Sequence, residues 1–598
     1  MNKEIKLKLT IKNLFYFLKQ DKLILIFLFT FSMLAAAAII SASFFVGNTL
    51  NRFVGALAND GSISSTEILD VLYTALLTLL LYFAHYLFNT FIFIGATKLS
   101  YRSGSKIRTA VFTKILSISI KDLDQYKIGE LMSRSTSDVD IMINNMVQFM
   151  VQWTISPALI IASLTSIFIV SSFLALVAIT LIAIIFTIMF LIAKNAGPNF
   201  NKTQNQIGKL NAVNEEFLSN HFATYLYGAQ NYAIHKFQPI NAEHQYQSYQ
   251  SEYKIGMIYP ALDIMENISY GILFTVGYLF IMLNVPQSGP WALNDGLLAT
   301  FILLTRTANS EFGNLARFAS IAEKLVACLK RIFEIIAIED DHNQGKVELN
   351  KLEGAIEFKN VNFAYEADKP VLKDFNLKIN AGQKVAIVGP TGSGKSTVIN
   401  LLMRFYDPNA GQIYIDGIAI NDIEKNNLRK FISVVLQDSA LFSESVLTNI
   451  AYGHQGKIDK EQIKYSAQEI GANHFINLLA NDYETILDEN NDISSGEAQL
   501  LALTRAHYSP ANILILDEAT SNIDSKTEYD VQQGMLRLME NKTSIIIAHR
   551  LSTIINADLI VVMQNGKIIE KGNHLDLLAK QGFYYNLYHK KMLEYEAE

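Results

Sequence analysis

Apolar residues crowd into roughly the first 320 positions of the chain, in runs divided by two long polar stretches. A helix crossing a bilayer core takes about 20 apolar residues. Six runs meet that requirement, at 23–48, 69–97, 145–170, 172–194, 262–284 and 297–319. The third and fourth are parted only around Ser171 and Ser172, which predicts a tight hairpin on one side of a membrane. Ahead of the first lies Asn13–Lys22, a short amphipathic stretch suited to the interface.

The polar stretches, 98–144 and 195–261, read as helical and carry many charges, with Lys106, Arg108, Lys114, Lys121 and Lys127 in the first. An excess of Lys and Arg marks the cytoplasmic side. The short connections Thr49–Thr66 and Asn284–Asp295 are poor in both and are expected outside, which leaves both termini in the cytoplasm. At about 1.5 Å per residue, helices continuing through the polar stretches project well below the membrane. They are expected to turn there against a cytosolic partner.

Beyond about residue 340 the pattern changes. Asp340–Asn343 and nearby charges mark a linker, and short strand-like runs then alternate with helix-like ones: Ile356–Phe358, Lys384–Val388, Ile432–Leu436, Ile513–Leu516, Ser544–Ile547 and Leu559–Met563. Such alternation predicts an α/β domain with a largely parallel sheet. The expected organisation is a six-helix membrane domain over 1–340, a linker over 341–354 and the α/β domain over 355–598.

Composition narrows the classes. Half of the residues are hydrophobic and mean hydropathy is positive, unlike most soluble proteins of this length. A net charge of −6 argues against a nucleic-acid binder. The single cysteine, Cys328, excludes an intramolecular disulfide and a cysteine-based zinc site, and its plain role is helix packing. Met1–Leu9 is Lys-rich without a long apolar run, so no cleavable signal peptide is expected.

The strongest chemical signal is Gly389-Pro390-Thr391-Gly392-Ser393-Gly394-Lys395-Ser396-Thr397, set between the apolar run Val385–Val388 and the helix-like Val398–Arg404. Glycines let backbone N–H groups wrap phosphates, Lys395 places positive charge at the β and γ phosphates, and Ser396 offers a hydroxyl to Mg²⁺. In Ile513–Glu518 an apolar strand ends in two acids. Asp517 suits the Mg²⁺ shell, and Glu518 suits a water-positioning or general-base role toward the γ-phosphate. Between these motifs, Ser494-Ser495-Gly496-Glu497 opens the helix-like Ala498–His507. Two readings stand for it: an ordinary N-cap with a capping box, or an anion site made of free N–H groups and the helix dipole.

Together these motifs resemble the ATP-binding cassette (ABC) family across essentially the whole chain. The resemblance implies that Gly389–Thr397 is the Walker A loop and Asp517-Glu518 the Walker B pair with the catalytic glutamate. It makes Gln437 the Q-loop residue, which also reaches the metal, Asp524 the D-loop residue, His549 the switch histidine and Tyr365 the aromatic that stacks on adenine. Ile493–Glu497 then occupies the signature position, where the usual Leu-Ser-Gly-Gly-Gln is changed at its first, third and fifth residues to Ile493, Ser495 and Glu497. The membrane half is similar to that of multidrug-type exporters at Gly129–Arg134, Asp138–Asp140 and Arg331–Glu334.

What the resemblance implies is ATP-driven export of lipophilic or amphipathic compounds by alternating access, with a lipid flippase or peptide exporter as alternatives and a non-pumping ATP-binding regulator as a remoter one. One chain supplies six spans and one cassette, so a second half-transporter is required. Two cassettes clasp two ATP molecules, and segments near Gln125–Lys127 and Ala223–Gly228 dock on them. With Glu518 and His549 intact beside an altered signature, the expected partner is a different chain whose own glutamate is altered; a homodimer is the alternative. In the spans, Asp263 and Glu266 share a helical face that is either cation-binding or simply hydrated near the inner interface. Arg306 either binds an anion or pairs with an acid, and His85, with the many Phe and Tyr residues, suits an amphipathic cavity but more often serves packing.

Overall fold

The computed structural model describes residues 21–58, 65–283, 293–341, 345, 347–366, 368–436, 440–454, 456–488, 493–517, 525–547 and 554–589. Most of the amphipathic stretch Asn13–Lys22 and much of the two connections expected outside fall beyond these residues. The chain forms two compact units, one of residues 1–116 and 128–337, the other of residues 117–127 and 338–598.

The first unit is helical: α1 (Lys22–Ala58), α2 (Ser65–Ser117, whose last residue belongs to the other unit), α4 (Ile128–Ser135), α5 (Ser137–Val170), α6 (Ser172–Ser219), α7 (His221–Leu226), α8 (Gln230–Gly256), α9 (Ile258–Met282) and α10 (Asp295–Ile336). The six expected spans lie on α1, α2, α5, α6, α9 and α10. At 53 residues α2 is roughly 80 Å long, far more than a bilayer core needs. The expected hairpin is made by one extended residue: Ser171 leaves α5 at φ −159°, and its hydroxyl accepts from the Leu174 N–H to cap α6.

Small residues set the closest helix approaches, as expected where lipid offers no hydrophobic drive between helices. A Cβ on Gly47 of α1 would lie 2.3 Å from the Gly296 carbonyl oxygen of α10, and a Cβ on Gly296 would lie 2.1 Å from the Gly47 oxygen. The same ends are fastened by Asn51, which donates to Asn294 at 2.9 Å and accepts from the Gly296 N–H at 2.7 Å. Along the bundle, Ile167, Leu174, Ala178, Leu273, Phe301 and Leu304 form a buried apolar core from α5, α6, α9 and α10.

Where α4, α5 and the end of α10 meet, charge replaces grease. Buried Arg134 donates to Glu130 at 2.7 Å and to the Arg331 carbonyl at 3.0 Å, and pairs with Glu334 at 3.5 Å. Arg331 in turn pairs with buried Asp138 at 3.1 Å. Two sequence segments nearly 200 residues apart thus interlock through charge.

Among the described residues the second unit holds two sheets. One has six strands in the order β10-β9-β3-β8-β7-β6: β10 (Lys567–Gly572), β9 (Leu559–Gln564), β3 (Lys384–Val388), β8 (Thr543–Ile547), β7 (Ile513–Asp517) and β6 (Ile432–Val435). All are parallel except β10, which runs antiparallel to β9. The other is an antiparallel sheet in the order β2-β1-β4-β5, from β1 (Ile356–Ala364), β2 (Pro370–Ile379), β4 (Ala410–Ile415) and β5 (Ile418–Ala419). Successive side chains of a strand face opposite ways, which explains why the central strands are apolar throughout. Val385, Ile387, Ile513, Ile515 and Ile545 face a core shared with the antiparallel sheet. Ala386, Val388, Leu514, Leu516 and Ile546 face a core built with helices that include α14 (Lys460–Ile470), α16 (Ser495–Tyr508) and α17 (Ser525–Leu538).

Candidate nucleotide site

Parallel strands bring their C-terminal ends to one edge of a sheet, where α/β proteins bind ligands. β3 and β7 flank β8, and both Ile387 and Asp517 sit in register with Ile547. Two strand spacings put their Cα atoms about 10 Å apart. The loop after β3 and the carboxylate ending β7 therefore rise from the same edge. Gln437, Glu518 with Asp524, and His549 follow β6, β7 and β8 in sequence; all four lie outside the described residues.

The loop itself is a cradle that only glycine permits. Gly392 and Gly394 adopt φ of +79° and +100°, in the left-handed region that L side chains avoid. Gly389 is at φ +155°, and a Cβ there would lie 2.2 Å from the Met563 carbonyl oxygen. From Gly394 the chain enters α11 (Lys395–Leu402), whose N-terminus has no side-chain cap, so its first N–H groups face the loop. The Lys395 ammonium bends back over this loop, donating to the Gly389 and Pro390 carbonyls at 2.9 and 3.1 Å. A phosphate group fits the arrangement: glycines allow close approach, a helix N-terminus faces it, and a lysine stands over the loop. Ser396 and Thr397 lie in the first turn of α11. Ser396 and Asp517 offer the oxygen ligands that Mg²⁺ prefers.

Tyr365 follows β1 and stands beside this loop. Its hydroxyl donates to Thr397 at 3.3 Å and accepts from Asn400 at 3.0 Å, while 47% of the residue stays exposed. Its ring abuts Phe363 and Tyr406 edge-on, with centroids 4.8 and 5.0 Å away.

At the start of α16, both readings of Ser494–Glu497 meet one geometry. Ser494 is the N-cap, its hydroxyl accepting from the Glu497 N–H at 3.3 Å, and the Glu497 carboxylate accepts from the Ser494 N–H at 2.9 Å. The carboxylate thus folds back onto the cap. Ser495 is exposed and Gly496 buried.

These features coincide with known families. The family model described as ABC transporter transmembrane region matches residues 25–302, and the one described as ABC transporter matches residues 372–521. Over 582 residues the chain is 32% identical to the uncharacterized ABC transporter ATP-binding protein YfiC of Bacillus subtilis, covering 97% of this chain and 94% of that protein. The chain belongs to the ABC transporter family. This ABC transporter is therefore a membrane protein with an ATP-hydrolysing cassette in the cytoplasm, and it works as a pair of halves. It is 34% identical over 483 residues to the fatty acid ABC transporter ATP-binding/permease protein of Mycobacterium tuberculosis, covering 81% of this chain and 75% of that one. It is 33% identical over 491 residues to the ATP-dependent lipid A-core flippase of Saccharophagus degradans, covering 81% of each. Its fold matches that of a bacterial Atm1-family ABC exporter with ATP bound, at a TM-score of 0.76 and 24% identity, covering 94% of this chain and 97% of the other.

In the spans of the transporter, His85 ties α2 to α1 through the Ala35 carbonyl at 2.8 Å and contacts Asn89 at 2.9 Å, which is a packing role. Glu266 accepts from Tyr270 at 3.5 Å, and Tyr270 in turn accepts from Asn309 at 3.5 Å. Asp263 is exposed, and its carbonyl accepts from Asn267. Sequence reasoning missed Glu311, which accepts from Ser156 at 2.5 Å and from Asn314 at 3.2 Å, with Gln152 donating to Ser156 at 2.6 Å. An acid inside an apolar span was the available signal.

Proposed function

We propose that the chain is one half of an exporter that moves lipophilic or amphipathic molecules, lipids among them, across the plasma membrane by alternating access. The fusion of a six-helix apolar bundle with a phosphate cradle in one chain carries this reading. The cargo class draws on relatives named for fatty acid and for lipid A-core, each spanning about four fifths of this chain.

In this reading Gly389–Thr397 wraps the phosphates of ATP, Lys395 meets the β and γ groups, and Tyr365 stacks on the adenine. Ser396, Asp517 and Gln437 hold Mg²⁺, which when bound neutralises charge on the phosphate oxygens. Glu518 takes the role of orienting the attacking water, and His549 that of the switch histidine. Asp524 and the partner's signature segment complete the site across the dimer. Both termini of the chain lie in the cytoplasm.

An uncovered aromatic cluster supports pairing. Phe222, Tyr225, Leu226 and Tyr227, in and after α7, are 62–81% exposed. Tyr225, Leu226 and Tyr227 lie in the segment Ala223–Gly228 expected to dock on a cassette, with Phe222 just before it, and the occupant we propose is the second chain's cassette. The partner is a different half-transporter, because the signature carries Ser495 and Glu497 while Glu518 and His549 are retained.

Reconstitution into liposomes with fluorescent phospholipid tests the cargo. ATP should drive redistribution between leaflets, and Glu518→Gln should abolish it while ATP still binds. ATP hydrolysis with no redistribution rejects the lipid reading. Full ATPase turnover by this chain purified alone, lost in Glu518→Gln, rejects the heterodimer.

A further inference from the structure

Residues 117–127 follow a membrane helix in sequence yet belong to the same compact unit as the cassette. They are held at two points. At one end the Ser117 hydroxyl donates to Asp340 at 2.5 Å, and the Asp341 N–H donates to the Ser117 carbonyl at 2.8 Å. At the other, just past α3 (Ile120–Leu123), the Asp124 carboxylate accepts from the Tyr406 hydroxyl at 2.6 Å. Between them opens a cleft of about 900 Å³, lined by Asp122, Asp124, Tyr365, Asn400 and Tyr406 among others.

Tyr406 faces two ways. Its hydroxyl holds Asp124, and its ring meets the Tyr365 ring edge-on with centroids 5.0 Å apart and planes at 88°. Tyr365 in turn rests its hydroxyl on Thr397, in the first turn of the phosphate-loop helix. A continuous series of contacts thus runs from the phosphate loop through two rings to a carboxylate on the segment. The far end is a donor at physiological pH as any tyrosine hydroxyl is, and burial and the Asp124 carboxylate raise the Tyr406 phenol further.

We propose that Tyr406 is a positioning residue that reports the nucleotide base at Tyr365 to the segment Ser117–Lys127 of the same chain, through its hydrogen bond to Asp124. A base that stacks on Tyr365 fixes that ring, the edge contact fixes Tyr406, and the hydroxyl fixes Asp124. The segment then senses which nucleotide is present through contacts wholly inside one chain, separately from closure against a partner. This inference rests on Tyr365 facing the base.

The test uses the full chain in its dimer, in nanodiscs, with Cys328→Ser and one environment-sensitive fluorophore on Gln125→Cys beside Asp124. MgATP should change the emission, and Mg-tripolyphosphate, which carries the phosphates without a base, should produce about a tenth of that change. Tyr406→Phe keeps the ring and drops the hydroxyl. It should reduce the ATP response about tenfold, the scale of a lost hydrogen bond to a charged group, while KM for ATP stays within about twofold. Asp124→Asn keeps an acceptor and should keep the response, whereas Asp124→Ala should lose it. A full response in Tyr406→Phe, a full response to tripolyphosphate, or no response to MgATP in the parent overturns the proposal. Tyr365→Ala separates the two layers. If KM for ATP is unchanged, the base assignment fails and the relay with it; if KM rises while Tyr406→Phe responds fully, the relay alone fails.

Discussion

The Glu497 carboxylate accepts hydrogen bonds from both the backbone N–H and the hydroxyl of Ser494, at 2.9 and 2.8 Å, at the start of α16. A negative charge is thereby fixed at the N-terminus of this helix, the end that in the proposed function faces a γ-phosphate on the partner. Glu497→Gln preserves an acceptor for the cap and removes the charge. ATP affinity at the partner's site, which this segment completes, should rise roughly threefold to tenfold, the scale of one screened unit charge at close range, while turnover at the Glu518 site changes little. Thermal stability should hold in Glu497→Gln and fall in Glu497→Ala, where the capping box is lost at about 1 kcal/mol. Unchanged ATP affinity in Glu497→Gln would show that the carboxylate is not felt at the site.

Gly389 should tolerate no side chain. In Gly389→Ala the new Cβ meets the Met563 carbonyl oxygen at 2.2 Å, a backbone atom held in the sheet. The loop must shift, so Kd for ATP should rise about tenfold or more, the equivalent of roughly 1–3 kcal/mol of local strain. Equilibrium binding of a fluorescent ATP analogue measures it. Gly382→Ala is the control for left-handed backbone alone, because φ there is +75° with nothing within 4 Å of the added atom.

Arg331 neutralises a buried acid. Asp138 is 4% exposed and pairs with Arg331 at 3.1 Å. Arg331→Ala strands that carboxylate and should destabilise the helical unit by about 3 kcal/mol. Asp138→Asn added to Arg331→Ala should restore much of the loss. Thermal unfolding of the single and double variants in detergent gives the comparison, and additive losses would rule out the coupling.

Acid should loosen the cassette through His507. Burial lowers its pKa, the Lys542 charge lowers it further, and Glu469 opposes weakly. Its Nδ1 is buried without a hydrogen-bond partner among the described residues. Because the folded pKa lies below the unfolded value of about 6.5, the fold favours the neutral ring. That contribution is complete above about pH 6.5 and is lost as pH falls through the lower folded value. The Tm of the full chain should therefore drop between pH 7 and pH 5, and His507→Gln should flatten part of the slope. Equal slopes in both proteins would exclude the ring.

The long helices and the phosphate loop were legible because each has a local cause: an apolar run long enough for a bilayer, or glycines at fixed spacing after a buried strand. The hairpin at Ser171 was legible for the same reason. The antiparallel sheet was not. β1 extends to Ala364, but irregular register after Phe358 breaks the two-residue alternation that would have revealed it. Asp124 and Tyr406 stand 282 positions apart, and Ser156 and Glu311 stand 155 apart, so no local pattern joins them. Glu497 was visible as an odd residue, but its direction depends on a rotamer chosen by the Ser494 cap, which spacing alone does not supply.

The touching glycines Gly47 and Gly296 constrain how the bundle can rearrange. Two helices whose backbones meet, with Asn51 and Asn294 clasped beside the contact, have no side-chain layer between them to slide on. The first and last spans are therefore pinned together at this point despite lying at opposite ends of the membrane sequence. A bulky residue introduced at Gly296 would pry these two helices apart at the contact, where the added Cβ alone would lie 2.1 Å from the Gly47 carbonyl oxygen.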